Sequence, residues 1–86
     1  MFDREEFQKT LKSLKTQVQV KNNAAATTIE ERKTLYERHK DHNDLYSKAV
    51  ARECQIDISM YKSKIEAYQK ILEGLQKLEE DELSKE

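Results

Sequence analysis

Residues 58–78 read ISMYKSKIEAYQKILEGLQKL, and within them Ile58, Tyr61, Ile65, Tyr68, Leu72 and Leu75 recur at alternating intervals of three and four. That period lays one apolar stripe along an α-helix, in the heptad form that pairs with another helix. Traced backwards, Cys54, Val50 and Tyr46 each lie four residues earlier, so the stripe drifts around the helix. Ile71 and Leu78 widen it at the far end. The pattern predicts a long coiled-coil helix from about 44 to 78. Beyond it, Glu79, Glu80, Asp81 and Glu82 place negative charge at the negative end of the helix dipole, so 79–86 is expected to be a frayed acidic tail.

A second amphipathic stretch opens the chain. Asp3 and Glu6 have the spacing of a capping box, with Phe2 and Phe7 placed as a hydrophobic staple around it. Phe7, Leu11, Leu14 and Val18 then form a narrow seam, and the helix is expected over about 4–21. The seam lapses through Asn22-Asn23-Ala24-Ala25-Ala26-Thr27-Thr28. Asparagine tolerates helix-ending conformations, and Thr28 with Glu31 repeats the capping-box spacing, so a break near 22–23 and a restart near 28 are expected, with one continuous helix, favoured by the three alanines, as the competing reading. A third helix, about 28–42, is poor in core residues apart from Leu35 and Tyr36. Asp41-His42-Asn43-Asp44 prefers caps and turns, which marks an interruption there, with continuity into the last helix as the alternative.

These elements give an all-α fold: an antiparallel helical hairpin or a three-helix bundle with a long C-terminal coiled-coil helix, in one domain. The absence of proline and the single glycine, Gly74, leave the backbone free to stay helical. Charged residues are 38% of the chain against 18 Leu, Ile, Val and Phe, so one chain has little with which to close a core. A first helix of roughly 27 Å cannot cover a last helix of about 50 Å. The seam of Val50, Cys54, Ile58, Tyr61, Ile65, Tyr68, Leu72 and Leu75 is therefore expected to meet a partner, either a second copy or another helical chain.

Catalytic chemistry has little support. Cys54 lies alone on an apolar stripe, where a small buried thiol is the ordinary explanation. His39 and His42, with Asp41 and Asp44, would make half of a metal site, but no third strong ligand is specified, so no metal or cofactor is expected. Neither a phosphate-binding loop nor a membrane-length apolar run is present. A net charge of −1 argues against general nucleic-acid binding. No acid falls between Phe7 and Ile29, so Lys9, Lys12, Lys15 and Lys21 offer a face for an anionic partner. The acidic run from Glu79 to Glu82 is its complement, within one chain or between two. The composition fits a soluble protein of the reducing cytoplasm.

Lys64 to Gly74, KIEAYQKILEG, resembles the end of the rod domain of intermediate-filament proteins, through Ile65, Ala67, Tyr68, Lys70, Leu72, Glu73 and Gly74. Leu75-Gln76 departs from the acidic pair that follows in that family. The resemblance implies a coiled-coil filament or cytoskeletal rod fragment. The residues themselves point first to a non-enzymatic helical interaction module, as an adaptor, scaffold subunit or small chaperone. A nucleic-acid-associated protein using the lysines of the first helix is the rival from another class.

Overall fold

The computed structural model describes residues 3–84, and all the regular structure among them is α-helix. Helix α1 spans Arg4–His39 and α2 spans Leu45–Ser84, packed together as an antiparallel hairpin with extents of 64 × 16 × 16 Å. Of the architectures open from sequence, the molecule is the hairpin.

Local chemistry explains both ends of α1. Asp3 takes the N-cap, its Oδ1 accepting from Glu6 N–H at 3.2 Å. Phe2, the other half of the expected staple, lies outside the described residues. After His39 the chain turns, with His42 N–H donating to the His39 carbonyl at 3.2 Å. Asp44 then caps α2, accepting from Ser47 N–H at 2.9 Å. The reversal is made without glycine or proline, by residues whose short polar side chains serve the backbone.

Where the sequence pattern predicts a break, α1 passes straight through Asn22–Thr28. Three of the polar side chains there are satisfied inside the helix. Thr27 and Thr28 hydroxyls donate to the carbonyls of Asn23 and Ala24, both at 3.1 Å, and Asn23 Oδ1 accepts from Gln19 Nε2 at 2.9 Å. The three alanines supply the best intrinsic helix formers. One helix of 36 residues replaces the two expected over 4–21 and 28–42.

That continuity changes the geometry. Helices of 36 and 40 residues are about 54 and 60 Å long, so α1 covers α2 along nearly its whole length. The expected acidic tail is also different: α2 stays helical to Ser84, with Glu79 and Glu82 half-buried.

The inner stripes of both helices follow the three-four rhythm without a gap. On α1 it runs Leu11, Lys15, Val18, Asn22, Ala25, Ile29, Arg32, Tyr36, His39. On α2 it runs Ser47, Ala51, Cys54, Ile58, Tyr61, Ile65, Tyr68, Leu72, Leu75, Glu79, Glu82. Yet the only buried apolar residues described are Leu11, Ala25, Ile29 and Cys54, and no large side chain is fully enclosed. The deepest aliphatic side chains are thus on α1, Ile29 among them, in a segment that reads as core-poor. Ile65 and Leu72 are only half-buried. Ile29→Ala should accordingly cost about 2–4 kcal/mol, and more than Leu72→Ala. Urea denaturation of the two variants checks the order, and the reverse order would return the core to the second half of α2.

Candidate interaction surface

The inner stripe is held at intervals by polar contacts rather than by apolar packing alone. Near the open end, Lys15 Nζ donates to Gln76 Oε1 at 2.8 Å and pairs with Glu79, while the Arg4 guanidinium donates to the Glu82 carbonyl at 3.0 Å. Farther along, Arg32 Nε lies 3.0 Å from Asp57 Oδ2, close enough for an ion pair though not aligned as a hydrogen bond. Gln55 Nε2 donates to the Tyr36 hydroxyl at 3.2 Å. At the turn, His39 Nδ1 and the buried Ser47 Oγ are 3.0 Å apart, and the Tyr46 ring stands edge-on to His39 at 5.8 Å between centroids.

Asn22 sits on this stripe with its Oδ1 buried and without a hydrogen-bond partner among the described residues. An unsatisfied buried carbonyl costs about 1–3 kcal/mol. Asn22→Leu is therefore expected to stabilise the hairpin by about 1–2 kcal/mol, measured by chemical denaturation. A loss of stability would mean that this amide is satisfied in solution.

Asp44, at the turn, has a displaced titration. The hydrogen bonds it accepts from Ser47, the backbone N–H foremost, hold its pKa below the ordinary value. A lowered folded-state pKa means that the cap is complete above the unfolded carboxylate's pKa. It is lost as pH falls through the lowered value. In an acid titration followed by NMR, the Ser47 amide should shift in that window while the Ile65 amide stays still. A Ser47 amide that does not respond would remove the cap from the account.

The residues singled out from sequence fall in different environments. Phe7 and Val18 are half-buried, Leu11 is buried and Leu14 is exposed. Ile58, Tyr61, Ile65, Tyr68, Leu72 and Leu75 are half-buried and Cys54 is buried, all facing α1 of the same chain, whereas half-buried Val50 stands beside that stripe in a groove with Leu35 and Asp57. Tyr46, expected on the stripe, is 71% exposed. The four lysines do not share a face. Lys15 turns inward to Gln76 and Glu79, Lys9 and Lys12 are exposed towards one side, and Lys21 is exposed on the other. Among the described residues no group of three or more His, Cys, Asp or Glu comes together to hold a metal ion.

What sequence periodicity leaves out is the difference between the two flanks beside the inner stripe. One is polar, with a groove lined by Lys15, Thr16, Gln19, Glu73, Gln76 and Glu80. The other mixes apolar residues with charged ones. Two grooves locate it: Lys21, Ala24 and Thr28 meet Lys64 and Tyr68 in one, and Leu35 meets Val50, Glu53 and Asp57 in the other. By helical register the same flank carries Leu14 on α1 and Tyr46, Met60, Ile71, Gly74 and Leu78 on α2. Leu14, Met60, Ile71 and Leu78 are 42–48% exposed there.

Comparison with protein-family models, with curated proteins and with solved structures finds no match. No helix among the described residues is long and apolar enough to cross a membrane.

Proposed function

We propose that this chain is a non-enzymatic helical interaction module whose apolar flank packs against further helices as part of a coiled-coil assembly. The observation that carries the reading is the exposure of Leu14, Met60, Ile71 and Leu78 along one side of a hairpin that encloses no large side chain. Two helices offer each other one stripe, and a chain of this size ordinarily completes its core with additional helices. Contiguous exposed apolar residues rimmed by charge are the usual mark of a contact surface. The Cys54–Leu75 seam then serves the chain's own hairpin, and the partner is met one flank over.

The other two readings draw less support. The lysines of α1 point in different directions and Lys15 is engaged by α2, which leaves no continuous basic track for phosphates. A rod fragment calls for a helix that extends onward, whereas α1 folds back along α2.

Replacing Ile71 and Leu78 together by Glu should leave helix content unchanged in dilute solution, because both side chains stand outside the inner stripe. Association with any helical partner should be abolished. Circular dichroism at low concentration reads the first expectation. If the double variant unfolds, these side chains belong to the core and the reading fails.

A further inference from the structure

Resting on that reading, we infer that the occupant of the apolar flank is a second copy of this chain, docked antiparallel and staggered about a two-fold axis at Met60. Along this flank of α2 the successive positions are Tyr46, Val50, Glu53, Asp57, Met60, Lys64, Ala67, Ile71, Gly74 and Leu78, at intervals of four and three, with Val50 and Asp57 half-buried at its inner edge. Reversing this order about Met60 gives three chemically matched pairs, while Glu53 falls level with Ala67. Lys64 comes level with Asp57, opposite in charge. Ile71 comes level with Val50, both apolar. Gly74 comes level with Tyr46, the smallest residue facing the largest.

Two features of the hairpin alone ask for such a match. Tyr46 is an aromatic side chain left 71% exposed at the start of α2. Gly74 interrupts an otherwise strong helix former, and a Cβ built there would meet nothing within 4 Å. Nothing inside the hairpin needs the gap, although glycine lowers helix propensity. A ring from a second copy would fill it.

Charge selects the stagger. A full overlap would centre the axis near Lys64, at the middle of α2, and bring Lys21 and Lys64 of both copies together, since those lysines share one groove. Shifting the axis to Met60 moves Lys64 onto the partner's acidic stretch at Glu53 and Asp57. On α1 the same axis passes near Thr28 and levels Leu35 with Lys21 and Glu31 with Ala24, so no like charges face each other. The overlap from Tyr46 to Gly74 is about 42 Å at 1.5 Å per residue and leaves Leu14 and Leu78 outside it. On a hairpin 16 Å across, that covers on the order of 650 Å² per copy. The total of about 1,300 Å² lies within the range of specific interfaces.

Sedimentation equilibrium of the full chain should give twice the 10.2 kDa monomer mass at about 100 µM. Under mild oxidation Met60→Cys should form a disulfide-linked dimer, because the two positions meet on the axis, whereas Gln69→Cys on the polar flank should not. The native Cys54 is buried and does not compete. Lys64→Glu should weaken the dimer by about tenfold or more, by facing carboxylate with carboxylate. A monomer at that concentration overturns the inference. So does a dimer that cross-links through Gln69→Cys and not through Met60→Cys. Either failure is distinct from that of the interaction module, which is judged by whether the Ile71→Glu, Leu78→Glu chain stays folded.

Discussion

Two helices lying side by side touch along one line, and nearly everything in this molecule follows from that constraint. A helix in a larger bundle can bury a broad apolar face against several neighbours. Here each helix has a single neighbour, so only side chains at the centre of the stripe escape solvent. Leu11, Ala25, Ile29 and Cys54 do so, whereas residues as apolar as Ile65 and Leu72 stay half-buried. The stability of the hairpin therefore depends on length, by repetition of a thin contact over about ten turns, more than on depth at any point.

A thin contact leaves room for polar residues, and the hairpin uses them along its whole length. Lys15 with Glu79, Arg32 with Asp57 and His39 with Ser47 stand near the open end, beyond the middle and at the turn. The ion pairs are partly exposed, so each contributes little energy, roughly 0–1 kcal/mol. Their value lies in alignment. An apolar stripe with heptad spacing can slide by one repeat with modest loss, but a slide would leave Arg32 opposite the wrong residue and strand the buried Ser47. Half-buried Asn22 fits the same logic, since a polar residue on such a stripe trades stability for one register.

The same polar residues decide how much of the fold could be read in advance. The heptad stripe from Cys54 to Leu75 is legible because its members are apolar, and the cap at Asp3 because its chemistry is local. The inner stripe of α1 was hidden from Val18 onward. Its members there include Asn22, Arg32 and His39, which a search for apolar periodicity counts as absent. Asn22 and Asn23 read as a helix end because their preference for turns is real, but in this helix the packing of Ala25, within the alanine run, and of Ile29, just beyond it, outweighs that preference. Glu79 and Glu82 looked like a solvated tail because their charges oppose the helix dipole. Lys15 and Arg4, more than sixty residues away, reverse that judgement, and no local pattern contains them. The four lysines were grouped by the absence of acids between them, whereas helical rotation sends them to different sides.

The flank proposed as an interface lies one heptad position from the stripe that holds the hairpin, and on α2 the two interleave. Ile71 precedes inner Leu72 and Leu78 follows inner Leu75, so in sequence they read as one broadened apolar face. Only the position of α1 separates them into a covered line and an open one. This closeness couples folding to assembly. With so little enclosed apolar surface, a hairpin gains stability from whatever covers the open line, and partner binding to the folded state alone raises that stability by mass action. The polar inner stripe then has a second use. By fixing the register of α1 against α2, it fixes which residues stand level on the flank. The proposed match of Lys64 with Asp57, and of Tyr46 with Gly74, requires that levelling to be the same in every copy. A purely apolar hairpin would be more stable and would offer a less defined surface. In this chain the polar contacts that limit the stability of the pair are the ones that give its outer face a definite pattern.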